Sequence, residues 1–399
     1  HRIQHDFCGG GCVECTQVKE NMENQKEKAG RLVRERLTFT LTERTSWREQ
    51  VRNLLREEQD IYIWGTGQVG QRAAHELRGM GGRLHAFVDN NRDCWGREMD
   101  GAPCISPVQL ETVRDPLVLI GVGLHSGAVA KQLAAMGVRR TLEMQDFYLN
   151  GMFADLLRAD PVDVAVRVER CFELLADEHS CDVLLAKLEG FFHFVPGFGR
   201  QNYYDRVCRG DQYFQDELIH FTEDSVLVDC GAYTGDTLAD FLRRGYPFRK
   251  YIAYELSRRN YDVLQENMRN VRGGGTGELI AYNCGVGERN EQICYDDVIS
   301  ASSVSSVGIP GKIVRMSDHL RDEPVSFIKM DIEGAEMGAL KGAAELIRRR
   351  RPDLAICTYH SISDLYEIPL YIHSLVPEYR LYLRHHTPVF CETVCYAVI

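Results

Sequence analysis

What this 399-residue chain lacks narrows its class first. No apolar stretch comes near the roughly 20 residues that a helix needs to cross a bilayer, so no membrane span is expected. No secretory signal is visible and a cytoplasmic location is expected, although the sequence opens on histidine, as a fragment or a chain without its initiator would. Positive charge is scarce. There are 47 Lys and Arg against 58 Asp and Glu, a net charge of −11, whereas neutralising nucleic-acid phosphates takes clustered basic side chains. The one dense basic run, Arg348 to Arg351, closes a predicted helix just before Pro352, where it complements the helix dipole. A nucleic-acid partner is therefore not expected. Nor is a disulfide framework: most of the 14 cysteines are scattered, and Cys230, Cys357 and Cys395 fall inside predicted strands, as buried thiols in a reducing compartment would.

What is present reads as an α/β protein of two or three cored domains. Residues 1–58 form a cysteine-containing and helical segment. Its Cys8, Cys12 and Cys15 read as a disordered terminus, the competing reading being a partial metal site completed by His1 or His5. Ser46-Trp-Arg-Glu49 has capping-box spacing ahead of Val51, Leu54 and Leu55, so a helix is expected to begin there. Residues 59–150 alternate strand, glycine turn and helix, a small Rossmann-like domain. Residues 151–222 form a helical connector with the 3.6-residue pattern near 168–175 and 181–188, and an aromatic and glycine-rich loop from Phe191 to Tyr204 suits a pocket cover. Residues 223–399 form a second α/β domain with strands expected at 225–230, 251–255, 279–283, 325–331, 353–359, 379–384 and 392–398. The last two imply an antiparallel hairpin at one edge of a parallel sheet.

The chemistry concentrates in this second domain. An apolar run from Val226 ends in Asp229, and a turn bearing Gly231 and Gly235 opens into a helix. Glycines there let backbone N–H groups approach a nucleotide-like ligand closely. Tyr251-Ile-Ala-Tyr-Glu255 repeats the strand pattern and puts Glu255 where a doubly wound fold grips a ribose diol. Two glycines at this spacing suit a cofactor with no pyrophosphate, whose amino-acid portion lies along the turn. That describes S-adenosylmethionine, with Asp229, Gly231, Tyr233, Thr234 and Gly235 at the turn, Glu255 on the ribose, and Asn283 and Cys284 at the adenine edge. Further on, Ile328-Lys-Met-Asp331-Ile-Glu333-Gly-Ala-Glu336 puts Asp331 at the carboxyl edge of a strand, where open α/β sheets carry out chemistry. The three acids could share a proton or bind a divalent cation, or Glu333 and Glu336 could serve only the helix N-terminus; no resident metal is assigned. Tyr359-His360 ends the next strand at the same edge, so Asp331, Glu333 and His360 are the candidate catalytic residues, with His385 and His386 weaker. Ser302, Ser303, Ser305 and Ser306 read as a flexible polar loop. In the first domain, Gly65-x-Gly67-x-x-Gly70 followed by Asp89 fits a dinucleotide fingerprint or a turn kept for packing. It sustains the rival reading, a nicotinamide-dependent sugar-nucleotide oxidoreductase or epimerase. A non-catalytic binding module is the third.

Together, Asp229-Cys-Gly-Ala-Tyr-Thr-Gly-Asp-Thr237, Ala253-Tyr-Glu255, the Ile328 to Glu336 block and Tyr359-His360 resemble the FkbM family of S-adenosylmethionine-dependent methyltransferases, over about residues 211–399. The resemblance implies a class I methyltransferase sheet, Asp229, Gly231, Gly235 and Glu255 binding the cofactor, and Asp331 and Glu333 bordering the reaction centre. It also implies a hydroxyl acceptor on a sugar, glycan or polyketide-like natural product. The amino-terminal cysteines depart from the family pattern.

Overall fold

Forty-five residues from Val13 to Glu57, rich in Glu, Arg, Lys and Leu and free of proline, form one continuous helix, α1, about 67 Å long at 1.5 Å per residue. No helix begins at Ser46. Its hydroxyl accepts from the Gln50 side chain one turn on, at 3.2 Å, and caps nothing. The capping-box spacing is overridden because α1 is held along its length by two separate cores. Ala29, Val33, Leu37 and Leu41 enter the larger one, and Val51 and Leu55 enter that of the first α/β unit. The computed structural model describes residues 13–58, 60–123, 125–143, 152–193, 204–271, 277–298, 301–305 and 308–399. His1, His5, Cys8 and Cys12 lie outside them, as does most of the loop after Phe192, and Cys15 falls in the first turn of α1.

The first unit is a sheet in the order β3-β4-β2-β1-β5-β6. Its strands are β1 (Ile61–Trp64), β2 (Leu84–Val88), β3 (Glu98–Met99), β4 (Ala102–Ile105), β5 (Leu117–Ile120) and β6 (Arg140–Glu143). All neighbours are parallel except β3 and β4. Helix α2 (Gln68–Gly79) follows β1, short α3 (Pro107–Glu111) follows β4, and α4 (Ser126–Ala135) follows β5. The Gly65 turn is dictated by crowding. Gly65 has φ +112°, and a Cβ there would lie 2.6 Å from the Gly121 carbonyl oxygen; one on Gly70 would lie 1.9 Å from that of Gly65. Helix α2 can approach the sheet only through glycine.

Helices α5 (Pro161–Leu174) and α6 (Glu178–Phe192) pack against α1, each started by an aspartate that accepts from a backbone N–H, Asp160 from Val162 and Asp177 from Ser180. The second unit is a seven-stranded sheet in the order β16-β17-β15-β14-β7-β8-β9. Its strands are β7 (Val226–Cys230), β8 (Lys250–Tyr254), β9 (Glu278–Tyr282), β14 (Phe327–Met330), β15 (Asp353–Cys357), β16 (Arg380–His385) and β17 (Thr393–Val398). β17 is antiparallel to both its neighbours, so it inserts between β15 and β16 and every other strand runs one way. This is the mixed α/β, parallel-rich arrangement of class I methyltransferases. Helices α7 (Asp236–Arg244), α8 (Arg258–Val271), α10 (Glu336–Arg350) and α11 (Asp364–Leu375) connect the strands, and short α9 (Met316–His319) precedes β14. A second, four-stranded sheet, absent from the expectation, lies between β9 and β14 in sequence, in the order β10-β13-β11-β12. It comprises β10 (Gly285–Gly287), β11 (Glu291–Val298), β12 (Ala301–Ser305) and β13 (Ile309–Arg315). The serine stretch is therefore not a loop: the backbone of 301–305 pairs antiparallel with β11, and Ser306 lies outside the described residues.

Among the described residues no helix is long and apolar enough to cross a membrane. Cys230, Cys357 and Cys395 are free and buried within strands of the seven-stranded sheet, as expected.

Candidate active site

β7 and β14 are neighbours in register, with Asp229 opposite Lys329. The two side chains meet beneath the sheet edge, Lys329 Nζ lying 2.9 Å from Asp229 Oδ1, both almost fully buried. Tyr251 donates its hydroxyl to Asp229 Oδ2 at 2.7 Å, and Lys329 donates to the Gly231 carbonyl at 2.8 Å. Burial would strip the lysine of its proton, but Asp229 and Asp331 hold it and push its pKa up. Asp229 thus shapes the glycine turn from below and does not line the cleft.

Above this ion pair opens a cleft of about 470 Å³, within the range of small-molecule sites. At one end, Gly231 has φ +77°, and a Cβ there would fall 1.9 Å from the Asp331 carbonyl oxygen, so the β7 and β14 tips can touch only through glycine. Gly235, with φ +92°, is the residue before α7. Tyr233 is held left-handed at φ +47°, a strained conformation for a residue with a Cβ. Its N–H donates to Glu255 Oε2 at 2.9 Å, and that of Ser257 donates to Oε1 at 2.8 Å. Burial pushes the Glu255 carboxyl up to about 7, against the pull of those two bonds. Gly231, Tyr233 and Glu255 line the cleft, and Leu256, Gly285, Val286 and Ile313 continue its wall. Thr234, Asn283 and Cys284 do not. The Asn283 amide donates to the carbonyls of Glu255 and Leu256 at 2.9 and 3.0 Å, so it shapes the loop from behind, and Cys284 is buried.

At the other end the carboxyl tips of β14 and β15 bring Asp331, Glu333 and His360 together. Asp331 accepts from the Tyr213 hydroxyl at 2.8 Å and the Tyr359 hydroxyl at 2.9 Å. Burial favours its neutral form, but Lys329, His360 and the two hydroxyls outweigh that and hold the carboxyl below its ordinary range. His360 Nε2 lies 3.6 Å from Asp331 and 3.7 Å from Glu333, and Nδ1 lies 3.1 Å from Glu336. Burial would discharge the imidazole, yet Glu336, Asp331 and Glu333 together carry it up to about 10. The imidazole already holds a proton among these three carboxylates, so it is not placed to take a second one at neutral pH, and Asp331 is the ionised carboxylate that faces the cleft. Glu333, left-handed at φ +58°, is pushed up by burial. Glu336 does serve the helix start, accepting from the Ile332 N–H at 2.8 Å. His385 and His386 lie elsewhere. Burial drives them down to about 2 and about 4, and each is tied to a neighbour, Thr393 or the Arg209 carbonyl.

Several cleft residues gave no signal in the sequence. Tyr213 comes from the connector, outside any motif. Gln68 and Arg72, on the first turns of α2, reach across from the other α/β unit: Gln68 donates to the Tyr233 hydroxyl, and Arg72 lies 3.4 Å from Glu333. Lys329 was also passed over, although a charge inside an apolar strand is a signal that could have marked it. The dinucleotide reading of the Gly65 turn loses its acid. Asp89 accepts from the Thr66 N–H and hydroxyl at 2.9 and 2.7 Å and from the Asn91 N–H at 2.9 Å, closing the turn on itself.

A seven-stranded sheet of this order, with acids at the tips of its second and fourth strands in sequence, β8 and β14, facing one cleft, defines a class I methyltransferase-like fold. Residues 229–387, within the carboxyl-terminal unit, match the family model of the methyltransferase FkbM domain. Residues 57–141 match the family model C2185-like, N-terminal. A crystal structure of the methyltransferase FkbM from Methylobacillus flagellatus KT is 25% identical and covers 90% of this chain and 99% of its own, with a TM-score of 0.60. Methyltransferase 1 of Beauveria bassiana (strain ARSEF 2860) is 27% identical over 158 residues, 32% of this chain. The matched region spans 61% of that relative's length.

Proposed function

We propose that the chain is an S-adenosylmethionine-dependent O-methyltransferase acting on a hydroxyl of a sugar, glycan or related natural product. The observation that carries this reading is the cleft itself: a glycine turn and a ribose-type acid at one end, and an ionised, hydroxyl-braced aspartate at the other. The donor set fits the cofactor. Gly231 leaves backbone free at the turn, and Glu255 presents a carboxylate at the tip of β8. When bound, the cofactor supplies an electrophilic methyl group on a sulfonium. Glu255 holds the ribose hydroxyls, and Tyr233 and Gly231 shape the channel between the two ends.

Methyl transfer to oxygen is an in-line displacement, so alignment and exclusion of water contribute most, up to about 7–11 kcal/mol. Asp331 is braced for that task by Tyr213 and Tyr359 and kept ionised by Lys329, so it orients the acceptor hydroxyl and receives its proton as the new bond forms. Glu333 faces the same space beside Arg72. The polar side chains around this end, including Gln212 and Glu392, which hydrogen-bond to each other, favour a polyhydroxylated acceptor.

Asp331→Asn keeps the size and both tyrosine contacts but loses the charge. Turnover with labelled methyl donor is expected to fall at least a hundredfold while calorimetric affinity for S-adenosylmethionine stays within a few-fold. Undiminished turnover in that variant would remove Asp331 from its role, and absence of cofactor binding in the intact chain would remove the whole reading.

A further inference from the structure

We propose that His360, Asp331 and Glu333 form a binding site for a divalent first-row transition-metal cation, for which Mn2+ is the natural probe. The proposal deepens the methyltransferase reading, on which its catalytic relevance rests. The histidine is built like a metal ligand. Its Nδ1 faces Glu336 at 3.1 Å, and Glu336 is itself fixed by the Ile332 N–H. A carboxylate beside Nδ1 sets ring orientation in metal centres and leaves Nε2 as the ligand atom. Neither ring nitrogen has a formed hydrogen bond; Nε2 is buried, lies 3.6 Å from Asp331 Oδ1 and 3.7 Å from Glu333 Oε2, and would take a cation in exchange for its proton. Those distances are too long for hydrogen bonds. Two ligand atoms on one cation, each with a bond of about 2.1 Å, stand about 3.0–3.4 Å apart, so each of the two His360–carboxylate pairs reaches ligand spacing with a shift of a few tenths of an ångström.

A second buried atom without a partner lies at the same place, Glu336 Oε2, and the ligand atoms of Asp331, Glu336 and His360 all fall within 4.8 Å of one another. The cationic side chains nearby are committed elsewhere: Lys329 holds Asp229 and the Gly231 carbonyl, and Arg72 sits on the outer side of Glu333 at 3.4 Å. The Tyr213 and Tyr359 hydroxyls on Asp331 complete the outer shell that an oriented carboxylate ligand needs. One imidazole among carboxylates favours Mn2+ or its first-row neighbours over Mg2+ and Ca2+, which prefer oxygen alone. The site borders the cleft, where a cation would meet an acceptor oxygen and acidify its hydroxyl.

The test is titration of the chelator-stripped chain with Mn2+, followed by the loss of the free-ion electron paramagnetic resonance signal. One Mn2+ per chain is expected, with affinity at least tenfold above that for Mg2+ in competition. His360→Asn and Glu333→Gln should each weaken it at least tenfold. Glu333 is about a quarter exposed, so its variant folds even if the His360 variant does not. No signal loss at millimolar Mn2+, or binding unchanged in Glu333→Gln, overturns the site. Calorimetry with S-adenosylmethionine on the same sample separates the two ideas. Cofactor binding without Mn2+ binding sinks the metal and spares the methyltransferase, whereas Mn2+ binding without cofactor binding does the reverse.

Discussion

Glu255 shows at the scale of one residue how burial and ligand binding are coupled through a proton. Its carboxyl sits near pH 7 in the folded chain, well above the ordinary carboxylate value, because the cleft wall removes it from water. A raised carboxyl means that the folded state holds a proton the unfolded chain has already lost. Its contribution to stability therefore declines as pH climbs from about 4.5 through about 7. Ribose hydroxyls want the opposite state, since an ionised carboxylate accepts two of them. S-adenosylmethionine affinity is expected to rise from about pH 6 to about pH 8 and then level off. Glu255→Gln should bind about tenfold or more weakly, losing roughly 1.5–3 kcal/mol, with the pH dependence gone. A flat calorimetric profile in the parent chain would show that Glu255 does not hold the cofactor. Residues of this kind could be read in advance because each ends an apolar run: Glu255, Asp331 and His360 stand at the tips of β8, β14 and β15. Asp229, Asn283 and Cys284 end strands too, yet they turn inward or behind the wall. One residue of register decides that, and sequence does not carry it.

The same divide holds for whole elements. The strands of the seven-stranded sheet fell within a few residues of expectation because continuous apolar runs bounded by turns leave little choice. The four-stranded sheet from Gly285 to Arg315 was missed because its strands are short or polar, and pairing rather than propensity makes them strands. Helix α6 shows what periodicity hides. It carries Lys187 into the core, where the ammonium donates to the Phe390 carbonyl and lies 3.6 Å from the centre of its ring. Burial drives this lysine down to about 7, only slightly offset by Cys391 and Glu392. Here the sign runs the other way. The folded chain releases a proton that the unfolded chain keeps, so stability from this group is gained as pH rises from about 7 towards about 10. Lys187→Met keeps the packing without the charge. Its unfolding midpoint in thermal melts should exceed that of the parent at pH 7, and the gap should shrink by pH 9. A gap that widens with pH would mean the ammonium is a net stabiliser where it lies.

Across the whole molecule α1 is the element that makes two α/β units into one site. One stretch of the helix is sealed into the larger core by Val33 and Leu37 and the next into the smaller core by Val51 and Leu55, so the helix sets the angle at which α2 meets the cleft. Gln68 then meets Tyr233 over the cleft, and Arg72 forms a rim against Glu333 at the acceptor side. If that rim selects the acceptor, weakening it should raise KM for acceptor and leave donor affinity alone. Arg72→Ala tests the contact directly, with a several-fold rise expected. Ser46→Pro tests the strut. Ser46 is exposed and lies between the two cores, so proline there removes one helical hydrogen bond and kinks α1 at a cost of about 3 kcal/mol without opening either core. Both variants should bind S-adenosylmethionine as the parent does. The double variant should be little worse than Ser46→Pro alone, because a displaced α2 has already lost the arginine contact. Full additivity of the two effects, or an unchanged acceptor KM in Ser46→Pro, would show that the first unit merely neighbours the cleft and does not help to build it.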